Sequence, residues 1–347
     1  MTSAADVIGA CLRLCIAALG AAVLSGCSGD SLEVFGGPTM GSTYSVKYVR
    51  ASDGPSVDEL RAETEAILAD LDAAVSTYRD DSSIQAFNRL PVGHCMPVPE
   101  SVVTLTRAGM ELSQESGGAL DLTLKPLLDL WGFGPKGRVE RPPTEAQVRQ
   151  VLDEQIGLAH LHLEGDRLCK DAPVALDFNS IAAGYAVDQV ARRLESLGID
   201  RYLVEITGEL KAQGRKPDGS AWRIAIEAPH DDERVAQRIV SLDGLAVSTS
   251  GDYRNYYEQD GRRFSHTLDP STGAPITHRL ASVTVAHPSA LQADGLSTVL
   301  MVMGPEKGFD FAQSQGIAAL FVVRGETDFE TMHTEAFDTL LGEGGES

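Results

Sequence analysis

Positively charged residues are scarce in this chain. Its 347 residues include 29 lysines and arginines against 50 aspartates and glutamates, which gives a formal net charge of −21. Such a surface repels polyanions, so nucleic acid or an anionic membrane surface is disfavoured as a direct partner. An anionic substrate would need local help from a cation, and a bound metal ion fits that need better than a basic groove.

Several common binding motifs are also missing. The sequence has no G-x-G-x-x-G after a predicted strand and no G-x-x-x-x-G-K-[ST], which excludes the Rossmann and P-loop types of nucleotide site. No C-x-x-C pair and no His/Cys cluster indicates zinc or a redox pair. His160 and His162 could in principle share a metal, but a solvated strand face explains them more simply.

The chain has no apolar run long enough for an ordinary membrane span, because the stretch Leu12–Leu24 is too short. That stretch ends in L-S-G-C, which resembles the bacterial lipobox. It predicts that residues 1–26 are a signal peptide, that Cys27 is lipidated, and that residues 27–37 form a tether. The expected location is the cell envelope, as a lipid-anchored lipoprotein facing the periplasm, with the choice of membrane open. The alternative is a secretory leader with a chance cysteine.

Two cysteines remain after the leader and Cys27 are set aside. Cys95 and Cys169 would stand in a compartment that permits disulfides. A bond between them would close a loop of about 75 residues and contribute roughly 4 kcal/mol in the chain-entropy model. Two buried free thiols are the alternative, and spacing does not decide between them.

Strands occur in runs as well as between helices, which favours an α+β fold over a doubly wound sheet. A single domain over residues 38–340 and a disordered tail over 341–347 are expected. Helices are predicted near residues 56–75, 101–116, 144–155, 182–197, 291–303 and 306–315. Strands are predicted near 43–49, 202–206, 222–227, 238–242, 246–249, 318–323 and 329–334, with a hairpin over 160–170 and a strand end at 175–180.

The stretch Ser265–Thr298 holds the strongest chemical signal. Its first part, S-H-T-L-D-P-S-T-G-A-P-I, reads as a tight loop that carries His266 and Asp269. In its last part Asp294 and Thr298 are four residues apart, so a helix would place both oxygens on one face. A carboxylate beside a hydroxyl suits Mg²⁺, which prefers oxygen ligands. The alternatives are an ordinary turn and a helix cap.

A second signal is the segment D-F-N-S-I-A-A-G-Y from Asp177 to Tyr185, at a predicted strand-to-helix junction. Free N–H groups at a helix start favour anions such as phosphate. Plain capping by Asn179 or Ser180 is the alternative. Tyr78, in a polar stretch after a helix, could stack on a flat ring or simply pack.

Seven blocks together resemble one family. They are T-M-G-S-T-Y, S-T-Y-R-D-D-S, A-L-D-L-T, L-D-F-N-S-I-A-A-G-Y-A-V-D, S-T-S-G-D-Y-R-N-Y-Y, S-H-T-L-D-P-S-T-G-A-P-I and A-D-G-L-S-T-V-L-M-V-M-G. In this order they resemble the FAD:protein FMN transferases (ApbE-type flavin transferases) over nearly all of the chain after Cys27. The resemblance implies a single T-fold-like α+β unit, with mixed or antiparallel sheets and flanking helices.

The resemblance also implies the site. Mg²⁺ would be held by Asp294, Thr298 and the backbone carbonyl of Ser180. Positions that match the family's FAD contacts are Met40, Tyr78, Ala119, Leu120, Asp121, Asp177, Ala183 and Leu268. The family usually has Lys or Glu where this chain has Ala183, so a flavin contact there could use only backbone or van der Waals interactions.

The implied reaction moves FMN from FAD to a threonine or serine hydroxyl of a target protein and releases AMP. His266 is the expected base for that hydroxyl, with a loop-shaping role as the alternative, and Asp269 would orient it or assist the metal. The expected acceptors are subunits of NADH:quinone reductases or related electron-transport complexes. Other candidate functions are an FAD pyrophosphatase, a non-catalytic flavin-binding lipoprotein and a structural envelope lipoprotein.

Overall fold

The computed structural model describes residues 30–229, 236–252, 256–259 and 262–341. The predicted signal peptide, Cys27 and residues 342–347 of the predicted tail lie outside these ranges. Within them, no helix is both long enough and apolar enough to cross a membrane.

Seventeen strands are found in the described ranges. They are β1 (Ser31–Thr39), β2 (Ser42–Arg50), β3 (His94–Pro97), β4 (Leu161–Glu164), β5 (Arg167–Lys170), β6 (Tyr202–Ile206), β7 (Glu209–Gln213), β8 (Trp222–Glu227), β9 (Ala236–Leu242), β10 (Leu245–Gly251), β11 (Tyr256–Gln259), β12 (Arg262–Ser265), β13 (Leu268–Asp269), β14 (Ala274–Pro275), β15 (Leu280–His287), β16 (Ala318–Arg324) and β17 (Phe329–His333).

Nine α-helices are found in the same ranges, besides a 3₁₀ turn at Leu158–His160. They are α1 (Val57–Val75), α2 (Ser83–Asn88), α3 (Glu100–Glu115), α4 (Lys125–Trp131), α5 (Glu145–Gln155), α6 (Ala182–Ser196), α7 (Ala290–Met303), α8 (Pro305–Ser314) and α9 (Glu335–Leu341).

The centre of the fold is an eight-stranded sheet with the order β1-β2-β6-β7-β10-β15-β16-β17. Every neighbouring pair in it is antiparallel. The interior strand β15, sixth in this order, is buried along almost its whole length. A strand buried on both faces needs a layer on each side of the sheet, and the structure provides two.

Helices cover one face of the sheet. Val46, Val204 and Val283 point into the larger core cluster, together with apolar residues of α1, α6 and α7. The other face is covered by the β8–β9 hairpin and by α9, around Trp222 and Phe337.

The predicted fold class, α+β, is confirmed. Strands β6 and β8 have the bounds predicted for 202–206 and 222–227, and β4–β5 forms the predicted hairpin. The helix predicted from the Ser56 cap is α1, where Ser56 and Glu59 form a reciprocal capping box.

Several predicted boundaries are wrong. The expected tether over residues 27–37 overlaps β1, which pairs along its whole length with β2 and so belongs to the sheet. Residues 175–180 form no strand, only an isolated bridge between Leu124 and Ala175. Leu341, assigned to the tail, is a buried residue at the end of α9.

Cys95 and Cys169 form a disulfide, which decides the alternative that spacing left open. The two cysteines are directly opposite each other in the antiparallel pair β3–β5. The bond therefore joins the segment before α3 to the hairpin that follows α5.

Candidate functional site

A cleft of about 1670 Å³ lies beside the central sheet. Its walls come from the β1–β2 turn, the end of α1, the start of α6, the β6–β7 turn, β8, the loop around His266, and α7. Small-molecule sites usually occupy about 300–1,000 Å³. The cleft therefore has room for a small molecule together with part of a second, larger partner.

Most of the predicted site residues meet in this cleft although they are far apart in the chain. The lining includes Met40, Tyr78, Ala119, Leu120, Asp121, Asp177, Ser180, His266, Leu268, Asp294 and Thr298. Two predicted site residues, Ala183 and Asp269, are not part of the lining. Ala182, one position earlier, lines it instead.

The position of Asp269 follows from its own loop. Its Oδ1 accepts hydrogen bonds from the Ser271 N–H at 2.8 Å and the Ser271 hydroxyl at 2.6 Å. Its carbonyl oxygen accepts from the Gly273 N–H at 2.8 Å, and the Gly273 carbonyl accepts from Trp131 Nε1 at 2.8 Å. These hydrogen bonds show that Asp269 closes its own turn and that the turn is hydrogen-bonded to Trp131 of α4.

Asp294 lies on the first half of α7 and is only 6 % exposed. Its Oδ2 accepts a hydrogen bond from the Gly184 N–H at 2.9 Å. Burial raises the pKa of Asp294 well above its ordinary value, the nearby Glu209 carboxylate raises it further, and the Gly184 N–H and Ser248 act in the opposite direction.

Glu209 is a cleft residue that the sequence reasoning missed. It begins β7 and accepts a hydrogen bond from the Thr207 hydroxyl at 2.7 Å. Burial raises its pKa as well. Among the described residues, no lysine, arginine or histidine side chain forms an ion pair with either Glu209 or Asp294. We call these two carboxylates, the half-buried Glu209 and the buried Asp294, the carboxylate floor of the cleft.

Hydroxyl groups surround the carboxylate floor. Ser250 Oγ lies 2.8 Å from Ser297 Oγ and 3.5 Å from Thr298 Oγ1, and Ser297 Oγ donates to the Asp294 carbonyl at 2.9 Å. Two desolvated carboxylates with oxygen-rich neighbours and no cationic partner in the described structure fit a hard divalent cation such as Mg²⁺.

Backbone strain is concentrated at the same cleft. In the described residues, Met40 (φ 46°) and Thr207 (φ 57°) are the two non-glycine residues with positive φ, and both line the cleft. Such conformations cost about 1–3 kcal/mol each and gather at functional sites. The residues Thr207 and Gly208 directly precede Glu209 in the sequence. The positive φ of Thr207, which marks this turn as strained, is seen only in the structure.

Asp177 connects three parts of the lining. Its carboxylate accepts from the Thr77 hydroxyl at 3.3 Å and from the Asn179 N–H at 2.8 Å, and its own N–H donates to the Leu122 carbonyl at 2.8 Å. Burial raises the pKa of Asp177. These bonds hold the end of α1, the 119–121 turn and the segment before α6 together.

Tyr78, beside Thr77, is 66 % exposed. A buried packing role does not explain a ring so open to solvent. An exposed ring that lines a cleft can stack against a flat ligand.

An aromatic wall closes another part of the cleft, and we define it as Phe133, Tyr256, Tyr257 and His266. The rings of Phe133 and Tyr257 are 5.3 Å apart, and His266 meets Phe133 edge-on at 6.5 Å. Behind the wall, Phe264 stacks on Tyr257 at 5.0 Å. The buried Tyr257 hydroxyl has no hydrogen-bond partner among the described residues.

Two other clusters outside the cleft do not form metal sites in this structure. Cys95, Cys169 and Glu164 lie close together, but both sulfurs are joined in the disulfide. His160 Nδ1 and His162 Nε2 lie 2.7 and 2.9 Å from opposite oxygens of Asp171, which engages one nitrogen of each ring in a surface hydrogen-bond cluster.

The sequence model of the ApbE family matches residues 40–321. A FAD:protein FMN transferase from Vibrio cholerae is 41% identical over 323 residues, covering 92% of this chain and 96% of the relative. The chain belongs to the ApbE family. This confirms the resemblance seen in the motifs and the predicted membership in a family of transferase enzymes.

Solved ApbE structures agree. The apo form of the Pseudomonas stutzeri flavinyl transferase ApbE shares 61% identity, with a TM-score of 0.86 and coverage of 91% of this chain and 99% of that one. The flavin transferase ApbE from Vibrio cholerae shares 40% identity, with a TM-score of 0.83 and coverage of 90% and 100%. The ApbE relatives therefore share the whole described fold, not only a motif.

Proposed function

We propose that this enzyme transfers FMN from FAD to a serine or threonine hydroxyl of an acceptor protein, forms a phosphoester there, and releases AMP. The observation that carries the proposal is the carboxylate floor, the half-buried Glu209 and the buried Asp294, which has no cationic partner in the described structure and lies in the same cleft as the exposed Tyr78. The curated ApbE relatives bear the name FAD:protein FMN transferase.

We assign the cation to Asp294, Thr298 and the carbonyl of Ser180, with Glu209 adding negative charge nearby. When bound, Mg²⁺ would neutralise charge that develops on the phosphate oxygens of FAD. The floor cannot bind an anionic diphosphate by itself, because two carboxylates repel it. Transfer should therefore depend on a divalent cation.

The flavin and its ribityl chain are assigned to the remaining predicted positions, Met40, Tyr78, the Ala119–Asp121 turn, Asp177 and Leu268. Tyr78 supplies an exposed ring for stacking. Ala183 lies outside the lining and receives no contact in this proposal.

His266 is assigned as the general base. It accepts the proton of the acceptor hydroxyl while that oxygen attacks the FMN-side phosphorus, and the bond from this phosphorus to the oxygen of AMP breaks. Asp269 acts by shaping the loop that carries His266, since its carboxylate is engaged by Ser271.

The acceptor is proposed to be a flavoprotein subunit of an NADH:quinone reductase or a related electron-transport complex. We also propose that a lipid on Cys27 anchors the protein in the cell envelope, facing the periplasm. Both assignments depend on the sequence, and no nucleic-acid partner is proposed, given the net charge of −21.

The test uses the chain without residues 1–27, incubated with FAD, Mg²⁺ and candidate acceptor subunits. A mass increase of the acceptor equal to one FMN phosphoester, lost when the metal is chelated, is expected. Release of free FMN and AMP without any modified acceptor would replace the transferase by an FAD pyrophosphatase.

A further inference from the structure

Asp188 is a buried carboxylate outside the cleft that binds the start of another helix. It lies on α6, is 7 % exposed and does not line the cleft. Its Oδ1 accepts from the Ala290 N–H at 3.0 Å, and its Oδ2 accepts from the Leu291 N–H at 3.1 Å and the Ser289 hydroxyl at 2.6 Å. Both oxygens are thus committed to the first turn of α7.

This arrangement differs from an ordinary helix cap. The first N–H groups of a helix have no partner within it and are usually satisfied by a residue just before it. Ser289 does this for the Gln292 N–H at 3.4 Å, while the preceding two N–H groups are taken by a side chain about a hundred residues earlier. The bonds therefore fix the position of α7 against α6.

A second pair of contacts lies one turn away along both helices. The Gly184 N–H on α6 donates to Asp294 on α7 at 2.9 Å. A Cβ on Gly184 would lie 2.2 Å from the Ala290 carbonyl oxygen and 2.7 Å from Asp294 Cβ, so the two backbones are in close contact. Each helix thus offers one carboxylate to backbone N–H groups of the other, Asp188 from α6 and Asp294 from α7.

The axial register of α7 against α6 determines where the proposed cation ligands lie in the cleft. Ser180 lies just before α6, whereas Asp294 and Thr298 lie on α7. One residue of a helix rises about 1.5 Å, so a slip by a single residue would break the bonds of both carboxylates. It would also move Asp294 and Thr298 relative to Ser180.

We infer that Asp188 is a positioning residue for the cation site: by gripping Ser289, Ala290 and Leu291 it holds α7 in the register that presents Asp294 and Thr298 to the cleft. The inference rests on the proposed function, which places the cation at Asp294. Lys211 Nζ lies 3.4 Å from Asp188 Oδ1 and balances the charge of this carboxylate. Lys211 therefore pairs with Asp188 and not with the carboxylate floor.

The test compares Asp188→Asn with wild type in the full chain. Asparagine keeps the size of the side chain but loses the charge and one of the two acceptor oxygens. Calorimetric titration with Mn²⁺ and with Mg²⁺, without FAD, should show a Kd about 10–100-fold higher, as for other residues that support metal ligands. The Mg²⁺ concentration for half-maximal FMN transfer should rise by a similar factor, and the rate at saturating Mg²⁺ should recover to within about threefold.

Glu59→Gln is the matched control. Glu59 is also a carboxylate that accepts a backbone N–H at a helix start, from Ser56 at 2.9 Å, but on the surface of α1. Its Kd for Mn²⁺ should equal that of wild type even if its melting temperature falls. If Asp188→Asn does not fold, Ser289→Ala removes one donor to the same carboxylate and should raise the Kd in the same direction by a smaller factor.

Folded Asp188→Asn or Ser289→Ala protein with the wild-type Kd would overturn the inference and leave the proposed function intact. A wild-type protein that binds neither Mn²⁺ nor Mg²⁺ would instead remove the cation from the proposed function, and this inference with it.

Discussion

The carboxylate floor and the aromatic wall of the cleft are built in opposite ways. Glu209 is half-buried and Asp294 is buried, each accepts a hydrogen bond from a hydroxyl or backbone donor, and neither has a counter-charge in the described structure. In the wall, the Phe133 ring lies 5.3 Å from that of Tyr257 and 6.5 Å from that of His266, and Phe133, Tyr256 and Tyr257 carry no formal charge. The floor thus needs a cation before it can accept an anion, whereas the wall offers aromatic contact area that needs no ion.

This difference predicts different responses to substitution. Substitutions in the carboxylate floor should lower activity strongly, because a metal site loses affinity for its cation when a ligand is removed. A surface of rings contributes through contact area and stacking, so its losses should be smaller and should appear in substrate affinity.

The largest effect is expected for Asp294→Ala. Removing this carboxylate should lower the rate of FMN transfer at least ~100-fold, because the cation loses its only assigned charged ligand. The rate is measured by flavin fluorescence on the acceptor, and circular dichroism checks the fold. The exposed Asp153→Asn on α5 is the control and should keep wild-type activity; full activity in Asp294→Ala would remove the floor from the reaction.

A smaller loss is expected for Tyr78→Ala. Stacking between a base and an aromatic ring contributes about 1–3 kcal/mol, so the KM for FAD should rise roughly tenfold. Tyr78→Phe should restore most of the affinity because it keeps the ring. The melting temperature should not change, since the ring is 66 % exposed. A drop in stability with unchanged KM would make Tyr78 a packing residue instead.

The floor should also make metal-free stability depend on pH. Burial raises the pKa of Asp294 above its ordinary value of 3.8, so the folded state holds the proton more tightly than the unfolded chain. Stability should then fall as pH rises from about 4 through the folded-state pKa. Asp294→Asn removes this loss and should melt about 2 °C or more above wild type at pH 7 without metal, by calorimetry.

Added Mg²⁺ provides the control for that experiment. It should stabilise wild type by binding the folded state and leave Asp294→Asn nearly unchanged. If metal-free wild type and Asp294→Asn have the same melting temperature at pH 7, the Asp294 carboxylate does not destabilise the metal-free protein.

The smallest effect is expected for Tyr257→Phe in the wall. The hydroxyl is buried without a partner among the described residues, so its removal should stabilise the free enzyme by about 1 kcal/mol. Chemical denaturation measures this change. A loss of stability would mean that the hydroxyl has a partner, and a higher KM for FAD or acceptor would assign it to a substrate.

Local pattern predicted part of the candidate site, and the family resemblance supplied most of the remaining positions. The i, i+4 spacing of Asp294 and Thr298 gave their common helical face, and both line the cleft. The same stretch misled at Asp269, because His-x-x-Asp spacing within a turn cannot show whether the carboxylate faces outward or closes its own loop. Hydrogen bonds to Ser271 decide that, and they depend on the three-dimensional loop.

Glu209 could not be predicted in the same way. It reaches Asp294 from β7 across 85 residues, and no periodicity connects a strand start with a helix face. Similarly, the predicted tether over residues 27–37 overlaps β1, because the pairing of an edge strand with β2 is a long-range contact that its own sequence does not show, and such a strand tolerates the proline it carries.

If Cys27 carries the proposed lipid, the pairing of β1 with β2 limits the distance between the membrane and the cleft. Asp30 forms an ion pair with Arg201, and β1 begins at the next residue. A lipid on Cys27 would hold that point within about 14 Å of the bilayer, since an extended residue spans at most ~3.5 Å. The nine residues of β1 add about 30 Å before the chain reaches Met40 at the cleft. With that anchor, Met40 could lie at most about 45 Å from the bilayer. The proposed lipid would therefore favour acceptor hydroxyls that lie close to the membrane surface.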